Sequence, residues 1–111
     1  MAMATTTTTA KSTKSKKESE QRIRQAQRAA TLLKQISDPT RLQIILMIAE
    51  QERHVGAMSE QLAQSQPAVS HHLALMRHGG IIVRRRQGKN NFYGLTETGE
   101  SLAKLANGMI I

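Results

Sequence analysis

Ser65-Gln66-Pro67-Ala68-Val69-Ser70-His71-His72-Leu73-Ala74-Leu75-Met76-Arg77-His78-Gly79-Gly80 is the stretch whose pattern decides the fold. Ser65 is an N-cap residue, Pro67 falls in the first turn where a missing N–H leaves no bond unmade, and the Gly pair ends the run. On a helical wheel Val69, Leu73 and Met76 define a buried side, with Ala68 and His72 on its border. Gln66, Ser70, His71, Ala74 and Arg77 point away from it. Immediately upstream, residues 57–63 read as a short helix carrying Met58 and Leu62 inward at i and i+4. Immediately downstream, residues 81–86 and 91–95 are extended runs separated by Gln87-Gly88-Lys89-Asn90, whose Gly supplies the positive φ of a hairpin turn.

The remainder of the chain frames this unit. Residues 18–36 place Ile23, Ala26, Ala29, Ala30, Leu32, Leu33 and Ile36 at helical spacing. Asp38-Pro39 then starts a second helix over residues 40–49, apolar nearly all round and therefore central. The polar stretch 51–56 reads as a connection. Thr96 caps a last helix with Glu97 and Glu100 in its first turn and a stripe of Leu102, Leu105, Ala106 and Met109. The expected order is α-α-α-α-β-β-α, mainly α with a small β-hairpin. Met47, Met58, Met76 and Met109 sit on apolar faces and are expected in the core.

Two short helices joined by a tight polar turn, followed by an Arg-rich hairpin, read as a winged helix-turn-helix. A helix enters the B-DNA major groove only if its outward side chains are short enough to allow approach and polar enough to read base edges. Gln66, Pro67, Ser70, His71, Ala74 and Arg77 meet that demand and are the candidate recognition residues. Arg84, Arg85, Arg86, Lys89 and Asn90 are the candidate wing contacts, gripping phosphates or the minor groove. Strand alternation puts Arg84 and Arg86 on one side and Arg85 on the other, so the three cannot contribute equally. His72 is expected to be a structural hydrogen-bonder. Arg41, beside Asp38, fits either a helix-start ion pair or a phosphate contact.

Charge supports a polyanionic partner. The chain has 111 residues, 16 Lys plus Arg against 8 Asp plus Glu, and a net charge of +8. Its length suits one domain. Residues 77–89 hold Arg77, His78, Arg84, Arg85, Arg86 and Lys89 with no acid among them. Residues 1–17 carry five consecutive Thr and then Lys11, Lys14, Lys16 and Lys17 with little to bury; they are expected to form a disordered basic arm ahead of an 18–111 domain.

Three motifs in fixed order carry a family resemblance. Ile36-Ser37-Asp38-Pro39-Thr40-Arg41-Leu42, then Ser65-Gln66-Pro67-Ala68-Val69-Ser70-His71-His72-Leu73, then Arg85-Arg86-Gln87-Gly88-Lys89 with Phe92-Tyr93, resemble the ArsR/SmtB winged-helix repressors. The likeness covers about residues 29–95. It implies a bacterial or archaeal homodimer that represses by binding an inverted-repeat operator, with residues 66–78 reading DNA and the first and last helices pairing with those of the partner. The sequence also departs from that family. Where the family's Cys-x-Cys metal site would lie stand His54 and Gly56, and residues 96–111 contain no His for its last-helix site. No metal and no cofactor are expected.

Other classes are excluded on composition. No Cys means no disulfide, thiolate site or catalytic thiol. Adjacent His71 and His72 diverge by about 100° on a helix and cannot share an ion without distortion. Phe92 and Tyr93 are too few aromatics for a base-stacking platform, and no nucleophile-base pair or Gly-rich phosphate loop is present, so no enzyme is expected. The longest apolar run, residues 44–49, is far short of the roughly 20 residues that span a bilayer, so a soluble cytoplasmic protein without a membrane partner is expected, nucleoid-associated when on DNA. The alternatives are a protein-interaction module on the same scaffold, or a nonspecific chromatin-like DNA binder. The polar outward stripe argues against the former, which would show apolar anchors. No motif names an effector.

Overall fold

A computed structural model describes residues 9–110 of the chain. The elements are α1 (Thr9–Gln35), α2 (Pro39–Glu50), β1 (Arg53–His54), α3 (Val55–Leu62), α4 (Gln66–His78), β2 (Ile82–Gln87), β3 (Asn90–Leu95) and α5 (Glu97–Met109). The fold is thus mainly α with a small antiparallel sheet, as the periodicity predicts. The one added element is β1, within the stretch expected as a plain connection. It pairs Arg53 with Tyr93 and His54 with Phe92, giving a sheet ordered β1-β3-β2. A two-residue strand is too short for alternation to reveal.

The chain divides into two units after Thr31. In the first, the described residues are helical, and side chains from Thr13 to Ala30 are exposed except for half-buried Ser19. Residues 9–17, expected in the disordered arm, are therefore helical, and residues 1–8 of that arm lie outside the described residues. The reason is local: no Gly or Pro interrupts α1, its Ala, Lys, Gln, Glu and Arg residues are good helix formers, and propagation is cheap after nucleation.

The second unit is built around α2, which packs on α4, α5 and β3. Ile44 and Ile45 are fully buried, and join Met58, Val69, Leu73, Met76, Ile81 and Ile82 in one core. Each such side chain contributes about 1.5–3 kcal/mol relative to exposure. The Asp38 carboxylate caps α2 by accepting the Arg41 N–H at 3.0 Å. That backbone hydrogen bond holds its pKa below the ordinary carboxylate value, with smaller help from the charges of Arg41 and His72. The Arg41 guanidinium itself donates to the Gln35 carbonyl at 2.6 Å, so it caps the end of α1 and is occupied structurally.

At the far end, α5 is fixed against the start of β2. The Thr96 hydroxyl accepts the Gly99 N–H at 3.0 Å and lies within donating distance of the Gly80 and Ile81 carbonyls, at 2.7 and 2.9 Å. A Cβ at Gly99 would collide with the Ile81 carbonyl oxygen, so the helix approaches this closely only because residue 99 has none. The buried side of α5 is Gly99, Leu102, Ala103 and Ala106. Leu105 and Met109, expected in its buried stripe, are instead 48% and 73% exposed. Leu105 is rotated away from that side, and Met109 lies in the last turn. Among the Met residues expected in the core, Met58 and Met76 are buried and Met47 is half-buried.

Candidate nucleic-acid interface

The turn between α3 and α4 sets the recognition helix. Ala63 closes α3 in the left-handed region at φ 54°. Gln64 Nε2 then donates to Thr40 Oγ1 at 3.0 Å, tying the turn to α2. Ser65 caps α4 as expected, its Oγ accepting the Ala68 N–H at 3.3 Å. Val69, Leu73 and Met76 are buried, whereas Gln66, Pro67, Ser70, His71 and Ala74 are exposed and Arg77 is half-buried. His72 departs from expectation. Its Nδ1 is buried and has no hydrogen-bond partner among the described residues.

The hairpin is tighter than the four-residue loop expected from sequence. Gln87 pairs with Asn90, leaving Gly88 and Lys89 at the tip, and Gly88 has φ 63° as the first central residue of a two-residue turn requires. Register sorts its side chains. His54, Phe92 and Arg85 form one row across the sheet, and Arg53, Tyr93 and Arg84 form the next, on the opposite face.

The two faces differ in how their charge is used. Arg85 Nη2 donates to Glu52 Oε1 at 2.6 Å, its Nη1 donates to Gln87 Oε1 at 3.0 Å, and its guanidinium lies 5.6 Å from the Phe92 ring centre. The His54 ring meets the other side of that cluster edge-on, 5.7 Å from Phe92. Arg53, in the row of Arg84, is occupied too, donating to Glu50 at 2.9 Å and to the Met47 carbonyl at 3.1 Å at the β1 edge of the sheet. On the other face, Arg77, Arg84 and Lys89 open onto a cleft of about 370 Å³ between α4 and the hairpin, lined also by Ser70, Asn90 and Asn91. No Asp or Glu lines it. Among the described residues, none of these three cationic side chains enters a hydrogen bond or ion pair. Arg86 Nε donates to the Gly88 carbonyl at 3.3 Å.

The structure thus brings together Ser70, Ala74, Arg77, Arg84, Lys89 and Asn90 from the sequence-predicted set, and leaves Gln66, Pro67 and His71 on the outer face of α4. It separates Arg85 from them. Sequence reasoning missed Asn91 as a lining residue and Glu52 as the partner of Arg85. Strand alternation from Tyr93 puts the first on the face of Arg84 and could have found it, but the second joins residues 33 apart with no periodic signal. Among the described residues no group of three His, Asp or Glu side chains lies close enough to hold a metal ion, and no helix is long and apolar enough to cross a membrane.

Two helices about a tight turn, the second with a polar outer face, beside a basic hairpin that flanks it, define the winged helix-turn-helix class. The family model of bacterial regulatory proteins of the arsR family matches residues 38–83. A biofilm growth-associated repressor of Xylella fastidiosa is 37% identical over 86 residues, covering 78% of this chain and 74% of that one. The transcriptional activator HlyU of Vibrio cholerae is 39% identical over 71 residues, 64% of this chain and 66% of that one. Its reduced form superimposes with a TM-score of 0.76 at 31% identity, covering 81% of this chain and 96% of that one. A homodimeric winged helix-turn-helix DNA-binding domain of Mycobacterium bovis superimposes at 0.66 with 27% identity, covering 78% of each chain. The chain belongs to the arsR family and is a transcriptional regulator, not an enzyme.

Proposed function

We propose that the protein binds double-stranded DNA sequence-specifically, as a homodimeric repressor of an inverted-repeat operator. The observation that carries this reading is the polar outer face of α4 lying next to an acid-free basic cleft. Gln66, Pro67, Ser70, His71 and Ala74 face the bases, where Gln66 is suited to a bidentate pair with adenine. Arg77, Arg84, Lys89 and Asn90 serve the backbone, with Arg86 on the same face of β2 as Arg84. Arg85 holds the wing in shape through Glu52 and Phe92 and contributes little to DNA contact.

Dimerisation through the first and last helices is supported by apolar surface that this chain leaves uncovered. Leu33, Leu105, Met109 and Ile110 are 44–73% exposed and, with Ile36 and Leu42, line one apolar groove. Two recognition helices in such a dimer would read half-sites about 34 Å apart. One relative is a repressor and another an activator; the repressor reading follows the relative with the longer match. Without Cys, any signal must act without thiol chemistry. The absence of a membrane-crossing helix among the described residues fits a cytoplasmic, nucleoid-associated protein.

The test is to incubate the purified protein with sheared host DNA at near-physiological salt and sequence what stays bound. One enriched inverted repeat is the expected result. Uniform retention would replace this reading with an architectural one, and no retention with a protein-docking one.

A further inference from the structure

Two groups of basic side chains among the described residues differ in how they are engaged. Arg41, Arg53 and Arg85 are each committed to an intramolecular acceptor, a carbonyl or a carboxylate. Arg77, Arg84 and Lys89 are not, yet they come from the last turn of α4, the middle of β2 and the hairpin tip to line a single cleft. Three cations lining one cleft without a carboxylate raise the local positive potential, which favours an anion from outside. The remaining polar lining holds no carboxylate and includes groups able to donate: Ser70 and Tyr93 with their hydroxyls, the amides of Asn90 and Asn91, and His54. Donors of this kind suit a phosphodiester, whose two free oxygens accept several hydrogen bonds.

We propose that the cleft between α4 and the hairpin is a seat for one backbone phosphate of duplex DNA, held jointly by Arg77, Arg84 and Lys89, with Asn91 as a further ligand. The inference rests on the DNA-binding reading above and deepens it. The source of the phosphate is the duplex, because the cleft is continuous with the outer face of α4 through Ser70 and Ala74, which line it from that helix. In that arrangement the seated phosphate fixes how deeply α4 enters the groove. The wing then sets the register of the recognition helix, and base reading falls to the outer face of α4, Gln66 and His71 foremost.

The experiment uses the full-length protein and the duplex enriched in the pull-down, synthesised with single neutral methylphosphonates stepped along each strand. Among the sensitive positions of the wild-type protein, one per half-site should be the seated phosphate, where loss of the charge weakens binding about tenfold. Arg77→Ala, Arg84→Ala, Lys89→Ala and Asn91→Ala should each weaken binding to the unmodified duplex and lose sensitivity at that same position while keeping it elsewhere. All four side chains are exposed or half-buried, so the variants are expected to fold, which circular dichroism checks. If the variants lose sensitivity at different phosphates, or at none, the shared seat is wrong while the DNA-binding reading stands. If the wild-type protein holds no duplex, both fall.

Discussion

The two faces of the β-hairpin carry Arg residues one position apart in sequence and opposite in consequence. Arg85 is closed into a cluster with Glu52, Gln87 and Phe92, whereas Arg84, on the other face, shares an acid-free cleft with Arg77 and Lys89. The difference teaches that charge counted along a sequence is not charge on offer to a partner. A run of three Arg reads as one basic wing, but the pleat splits it, and a single glutamate from the α2–β1 connection neutralises one side.

The comparison depends on the hairpin being held in place, and the largest expected effect comes from removing that support. Gly99→Ala forces a Cβ into the Ile81 carbonyl at the joint between α5 and β2. A loss of about 1–3 kcal/mol is expected in urea unfolding, as for other overpacked sites. Next, Arg84→Ala should weaken DNA binding about tenfold, or ~1.4 kcal/mol, on cognate and random duplexes alike, measured by fluorescence anisotropy at fixed salt. Arg85→Ala should change affinity less than threefold and lower stability by at most about 1 kcal/mol, since its ion pair is half exposed. Should the Arg85 variant bind DNA worse than the Arg84 variant, the division between faces would be reversed.

A smaller effect concerns the turn that aims α4. Ala63 occupies a left-handed conformation that Gly adopts without steric cost, so Ala63→Gly should raise the thermal midpoint by a few degrees, for a gain of about 0.5–1 kcal/mol. The Asp38 cap supplies a pH test of the same scaffold. Because its folded pKa is lowered, its contribution is full above the ordinary carboxylate pKa of about 3.9 and is lost as pH falls through the lowered value. Asp38→Ala should therefore cost about 1 kcal/mol at neutral pH and show a shallower acid-induced loss of stability.

Much of this architecture was legible because it is written in local signals. Ser65, Pro67 and the Gly79-Gly80 pair mark α4 to within a residue, and Asp38-Pro39 does the same for α2. The outer face of α4 followed from a period of 3.6 alone. What escaped were features created by tertiary meeting. β1 exists only because β3 is beside it, and the helical state of residues 9–17 lies in propensity rather than in apolar pattern. Leu105 and Met109 share the expected stripe of Leu102, yet the buried side runs through Ala103 and Ala106, which turns Leu105 outward, and Met109 lies in the last turn. Arg41 could not be assigned until the carbonyl of Gln35 was seen beneath it. Likewise, nothing in sequence ties Glu52 to Arg85, and that pair changes the functional reading of the wing.

The most direct test is the dependence of DNA affinity on salt for the Arg84→Ala and Arg85→Ala proteins, measured side by side on one duplex. Each phosphate contact released contributes about 0.9 to the slope of log affinity against log salt. The slope should flatten by about that amount for Arg84→Ala and stay at the wild-type value for Arg85→Ala. Equal flattening in both, or flattening in the Arg85 variant alone, would contradict the claim that one face of the hairpin serves DNA and the other serves the fold.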